Sequence, residues 1–171
     1  VGEAAPKAVL PSGMAPKEDI VAVIDRLKKA QDPMVIVGGG GWSSEACSAL
    51  AEFASNLDLP VGASFRCQDY LDNRHPNYIG DVGIGINPAL AERVRNADVI
   101  LALGARLGEM TTSGYTLLKS PVPDQSLIHI HSDPSEIGRV YRPDFAVVAQ
   151  PGPACIQLAK AASASALRPR T

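Results

Sequence analysis

Val35-Ile36-Val37-Gly38-Gly39-Gly40-Gly41-Trp42-Ser43-Ser44 is a short apolar run that stops at glycine and resumes with helix-capping serines. Val99-Ile100-Leu101-Ala102-Leu103-Gly104-Ala105-Arg106-Leu107-Gly108-Glu109 repeats the first half of that design further along the chain. An uninterrupted apolar run of strand length belongs to a strand buried on both faces, as in a parallel sheet. Glycine at its carboxyl end lets the backbone approach a phosphate-bearing ligand at the start of the next helix.

The flanking sequence supports that reading. Ile20, Val23, Ile24, Leu27 and Ala30 recur at helical spacing, so Lys17 to Gln31 reads as an amphipathic helix ended by Asp32-Pro33. Met34 to Val37 is the first strand. With Ser43 or Ser44 as N-cap, Ala46, Cys47, Leu50, Phe53, Ala54 and Leu57 form the buried stripe of a second helix. Leu59 to Ser64 is the next strand, Phe65 to Asn77 an irregular polar crossing, and Asn77 to Gly80 a short third strand. Asn87-Pro88 pairs an N-cap with proline at the first helical position, opening a helix through Leu90, Ala91 and Val94 that Asn96 or Ala97 closes.

Asp98 to Leu103 is a central strand, followed by Gly108 to Asp124, a long Thr-, Ser-, Gly- and Pro-rich stretch of the kind that carries function. Leu127 to His131 is the next strand. Asp133-Pro134-Ser135-Glu136 predicts a capping box and a short helix stopped by Gly138. Phe145 to Ala149 and Pro153 to Ala166 close the pattern as strand and Ala-rich helix. The alternation predicts an α/β fold: a doubly wound, mostly parallel six-stranded Rossmann-like sheet, helices on both faces, ligands at the carboxyl ends of the strands.

Composition bounds the function. The chain has 171 residues and a net charge of −2, with Lys and Arg scattered and no run longer than Lys28-Lys29, so no basic stripe for a nucleic-acid backbone is expected. Its apolar runs fall far short of the roughly 20 residues that span a bilayer, and no charged-then-apolar leader opens it, so a cytoplasmic protein without a membrane role is expected. Cys47, Cys67 and Cys155 are odd in number and widely spaced, which predicts reduced core thiols rather than a disulfide or zinc framework. Val1 is no initiator, and residues 1–16 have the Ala-, Pro- and Gly-rich composition of an interdomain linker. The expected organisation is a linker at 1–16, a single α/β domain at 17–168 and a tail at 169–171, cut from a longer protein.

Each chemical signal has a plain counterpart. The glycine loop fits Gly-x-Gly-x-x-small, yet the second strand ends Gly62-Ala63-Ser64-Phe65-Arg66 with no acid to hold a ribose, which argues against a dinucleotide site of the usual kind. Arg106, just past a strand end, suits a phosphate or carboxylate, or else pairs with Glu109 on the surface. His129 and His131 face one side of a strand, but no nearby Cys or carboxylate completes a metal set, so satisfied strand histidines are expected. Asp81 and Asp133 are the acids placed at strand-end loops, Asp133 as a helix cap. Nothing assembles a nucleophile, its base and an orienting group, so no catalytic and no metal-ligating residue is assigned.

Taken in order, the signatures resemble a known family. From about Asp19 to Leu158 the chain is similar to the central domain of thiamine diphosphate-dependent enzymes of the acetohydroxyacid synthase, benzoylformate decarboxylase and oxalyl-CoA decarboxylase group. The carrying pieces are the Val35–Gly40 run, Asn73-Arg74-His75-Pro76, Tyr78-Ile79-Gly80, Ala97-Asp98 through Arg106, and His129-Ile130-His131-Ser132-Asp133-Pro134-Ser135-Glu136-Ile137-Gly138. The resemblance implies a decarboxylase, lyase or acetolactate synthase-like enzyme acting on a 2-oxo acid or acyl substrate. Flanking domains would hold thiamine diphosphate and Mg2+, and the full-length protein would be a homodimer or homotetramer.

Some relatives bind FAD or ADP in this domain. On that pattern Gly38, Gly39, Gly40, Ala63, Ser64, Gly104, Ala105 and Arg106 are the cofactor-binding positions. The departures, Gly80-Asp81-Val82-Gly83, Leu107-Gly108-Glu109-Met110, His131 and Gln150-Pro151, remove groups a flavin site would use. The expected role is therefore structural, with a stand-alone ADP-, CoA- or FAD-binding regulatory module as the alternative and a sirtuin-like or flavoprotein-like relative last.

Overall fold

The computed structural model describes residues 13–166; the predicted tail at 169–171 and most of the predicted linker lie outside them. Six strands form one sheet, β1 (Pro33–Val37), β2 (Val61–Ser64), β3 (Tyr78–Val82), β4 (Val99–Leu103), β5 (Ser126–His131) and β6 (Phe145–Val148), in the order β3-β2-β1-β4-β5-β6. Every neighbouring pair is parallel, so the sheet is wholly rather than mostly parallel. This is the doubly wound order whose direction reverses between β1 and β4, where a crevice opens beyond the strand ends.

The helices are α1 (Lys17–Lys29), α2 (Ser44–Leu57), α3 (Pro88–Asn96) and α4 (Pro151–Ala166). The caps read from sequence hold at α2, where Ser43 accepts from the Ala46 N–H, and at α3, where Asn87 accepts from Ala89. On one face α1, α2 and α4 bury Ile24, Leu50, Phe53 and Leu158 against Val35, Leu101, Ile128 and Ile130. On the other, α3 supplies Leu90 and Val94 against Met34, Ile36, Ile100 and Leu127. That second face is completed without a helix: Leu107, Leu117 and Leu118 of the β4–β5 connection and Tyr141 after β5 are buried there. The stretch read as a functional loop is thus also a core lid.

Two local expectations are corrected. Asp133–Gly138 forms turns and no helix: the Asp133 carboxylate accepts from the Ser135 N–H and hydroxyl, while Glu136, needed for a capping box, turns away to arginines. Asp81 lies inside β3 rather than in a strand-end loop, because β3 continues to the buried Val82. The three cysteines are free, Cys67 and Cys155 being buried. Gly13–Ala15, near the end of the predicted linker, lie against the α4 region, with Ala15 and Gln157 exchanging two hydrogen bonds and the Gln150 N–H donating to Gly13.

Candidate functional site: the β1/β4 crevice

The two glycine loops meet at the switch point. The Gly38 N–H donates to the Leu103 carbonyl at 3.1 Å, and the Gly104 N–H to Ile130 at 2.8 Å. Gly39 and Gly104 adopt φ of +72° and +74°, a region L side chains avoid. A Cβ on Gly39 would strike the Gly104 carbonyl, and one on Gly104 the Gly38 carbonyl and the Pro151 ring. A Cβ on Gly38 would meet the Ser64 hydroxyl. These glycines serve the close approach of two backbones. Gly40, by contrast, has open space where a Cβ would stand.

An aromatic pair absent from the sequence reading fixes the loop from outside. The Trp42 indole N–H donates to the Gly38 carbonyl at 2.9 Å, the Tyr70 hydroxyl donates to the Gly39 carbonyl, and the rings stack with centroids 4.8 Å apart. Burial pushes the Tyr70 phenol up to about 12, so it stays a donor at neutral pH. Trp42 follows the glycines directly, but only the fold brings Tyr70 to it. Gln150, noted in sequence as a missing acid, lies against Gly41.

Above this floor is a groove of about 530 Å3 lined by Gly39, Ser64, Phe65, Arg66, Arg106, Glu109, Met110 and Tyr115, among others. Of the sequence-predicted positions it therefore gathers Gly39, Ser64 and Arg106, with Gly40 exposed on the same loop. Gly38, Ala63, Gly104 and Ala105 are buried beneath. Arg106 does not pair with Glu109: its Nε meets Glu136 at 3.0 Å, and Glu136 also holds Arg139 at 2.8 Å. Behind Arg106, His129 donates from Nε2 to the Ala105 carbonyl at 3.0 Å, and burial lowers its imidazole to about 4, so it is neutral. His131 faces the same side, its Nδ1 accepting from the Asp133 N–H. Each histidine is held through one ring nitrogen by a backbone hydrogen bond.

The chemistry available is binding. Among the described residues the N–H groups of Gly39, Gly40, Gly41 and Trp42 reach no protein acceptor. Gly39 shares the groove with Arg66 and Arg106, and with Glu109; backbone N–H groups and guanidinium groups are the donors that a phosphate uses. No carboxylate follows β2 to hold a ribose, the departure already visible in sequence. No group of three His, Cys, Asp or Glu among the described residues stands close enough to hold a metal.

Comparison with known proteins agrees with this geometry. The family described as "Thiamine pyrophosphate enzyme, central domain" matches residues 20–158. The chain is 28% identical over 117 residues to 3D-(3,5/4)-trihydroxycyclohexane-1,2-dione hydrolase of Clostridium perfringens, covering 68% of this chain and 18% of that protein. It is 30% identical over 125 residues to the acetolactate synthase isozyme 2 large subunit of Escherichia coli, covering 73% and 22%. To sulfoacetaldehyde acetyltransferase of Roseovarius nubinhibens it is 34% identical over 113 residues, covering 66% and 19%. Among solved structures, a Mycobacterium smegmatis protein described as thiamin diphosphate-dependent superposes with a TM-score of 0.70 at 24% identity, over 94% of this chain and 30% of that one, a likeness of fold. The chain therefore spans about a fifth of the curated relatives it matches. The all-parallel sheet in this order agrees with the family match over residues 20–158, which shows that the chain belongs to the central-domain family of thiamine pyrophosphate enzymes.

Proposed function

We propose that this chain is the middle domain of a thiamine diphosphate-dependent decarboxylase, lyase or acetolactate synthase-like transferase acting on a 2-oxo acid or acyl substrate. Flanking pyrimidine- and diphosphate-binding domains of the same polypeptide hold the cofactor with Mg2+. The assembly is a cytoplasmic homodimer or homotetramer. The observation that carries the reading is the family match over residues 20–158. When bound in its own domains, the cofactor supplies the nucleophile and electron sink. This chain's residues space those domains and line the approach. Among the described residues no helix is long and apolar enough to cross a membrane. In domain terms the reading is an α/β domain at 17–168 with a linker at 1–16 and a tail at 169–171; of the linker, Gly13–Ala15 pack against α4.

The test is to assay this 171-residue chain alone with added thiamine diphosphate and Mg2+ on pyruvate and benzoylformate. The expected outcome is no turnover and no saturable cofactor binding, with activity appearing only when the flanking domains are present. Turnover by the chain alone overturns the reading.

The second reading, a stand-alone ADP-, CoA- or FAD-binding regulatory module, rests on Gly39 and Arg106 lining one groove, with the N–H groups of Gly39–Trp42 given no protein acceptor among the described residues. Gly38, Gly39, Gly40, Ala63, Ser64, Gly104, Ala105 and Arg106 would form its floor and wall. Micromolar ADP binding that Arg106→Ala abolishes is the calorimetric result that favours it.

A further inference from the structure

Beside the crevice, on the opposite face of the sheet from α1, α2 and α4, is a second, smaller cavity of about 70 Å3, lined by Arg106, His129, Glu136, Arg139 and Tyr141 among others. At about 30 Å3 per water it encloses about two waters, and a larger ligand would sit partly outside it, on the side where Arg106 and Arg139 are more than half exposed. One feature of its lining asks for a ligand and two more bear on which ligand would suit it. Tyr141 is 2% exposed and its buried hydroxyl has no hydrogen-bond partner among the described residues, a costly arrangement unless something in the cavity meets it. His129 spends its Nε2 proton on a carbonyl, which only accepts, so Nδ1 carries a bare lone pair and has no protein donor. Arg106 and Arg139 share one carboxylate, Glu136, which leaves a net charge of +1 and guanidinium N–H groups to spare.

A hydrocarbon ligand satisfies none of these, and a plain carboxylate or sulfate leaves Nδ1 without a donor. We propose that this cavity binds a small oxyanion that carries its own hydroxyl, a hydrogenphosphate or a 2-hydroxycarboxylate. Its anionic oxygens take the spare N–H groups of Arg106 and Arg139 and the Tyr141 hydroxyl, and its O–H donates to Nδ1 of His129. The neutrality that burial gives His129 is consistent with an accepting ring at any pH near 7.

The competing carboxylate gives the proposal a test of sign. Calorimetric titration of the full chain, at pH 7 and low salt and without thiamine diphosphate, is made with inorganic phosphate, lactate, sulfate and acetate. Phosphate or lactate is expected to bind saturably, and at least about tenfold tighter than sulfate and acetate; which of the two wins names the source. Glu136→Gln frees both guanidinium groups and is expected to tighten binding about threefold or more. Tyr141→Phe is expected to weaken it about tenfold, a difference of about 1.4 kcal/mol. In the absence of ligand this variant should melt no lower than the parent, because the deleted hydroxyl has no partner to lose. No saturable binding of phosphate or lactate, sulfate binding as tightly as either, or weaker binding in Glu136→Gln would each overturn the proposal. Because the cofactor is absent throughout, the result is independent of the enzyme reading above.

Discussion

At the floor of the crevice, where the loops after β1 and β4 meet, the chain is positioned by what its residues lack, and beyond Gly104 by what they carry. Gly38, Gly39 and Gly104 bring two backbones into contact that any Cβ would break, and the Trp42–Tyr70 stack pins the resulting carbonyls. Across the gap, Arg106 is placed by Glu136, and Ala105 by the buried His129. The first wall is rigid and insensitive to pH or salt, because sterics and neutral hydrogen bonds do not titrate. The second contains ionisable groups and is where conditions alter the site.

Breaking the rigid wall has the largest expected effect. Gly104→Ala combines a left-handed φ with collision against the Gly38 carbonyl and Pro151, so urea unfolding should show a loss of about 3 kcal/mol or more.

The next effect belongs to the other wall and appears only as pH changes. Burial depresses His129 from 6.5 to about 4, so between those values the unfolded chain binds the extra proton and stability rises with pH. The contribution is fully present above about 6.5, and about 3 kcal/mol is lost as pH falls to about 4. His129→Gln should flatten that limb of a stability–pH profile; an unchanged profile would show that another group controls it.

Smaller still is Tyr70→Phe, which keeps the stack on Trp42 and removes the hydroxyl from the Gly39 carbonyl, at about 1 kcal/mol in thermal unfolding. Gly40→Ala, in open space and without a left-handed φ, should lie within about 0.5 kcal/mol of the parent and so separate the packed glycines from the free one. If Gly40→Ala and Gly104→Ala destabilise equally, the distinction between packed and open loop fails.

Most of the sheet was legible because its signals are local. Met34–Val37 and Val99–Leu103 are apolar without interruption, and Ser43 and Asn87 occupy cap positions whose chemistry acts within one helical turn. The failures are equally physical. Asp133–Glu136 has the letters of a capping box, but Glu136 is drawn to Arg106 and Arg139, a distant competitor that a local motif cannot register. For Arg106 the sequence leaves open a phosphate or carboxylate ligand or Glu109, and the fold pairs it with Glu136 of the β5–β6 connection. The Thr- and Gly-rich stretch after β4 showed no helical period, so its burial of Leu117 and Leu118 as a core lid was hidden. Of the site, sequence located the glycines and Arg106 but neither Tyr70 nor Tyr141.

The sequence by itself determined the strands, the helices that cap them and the family, because hydrophobic period, capping and glycine placement act within a few residues of one another. Only the tertiary structure decided which glycines are filled by the protein's own backbone and which face open space. It alone also decided which carboxylate holds Arg106 and which buried hydroxyl is left without a partner. Those outcomes depend on groups brought together across the sheet, and contact and desolvation are settled only when the chain has closed on itself.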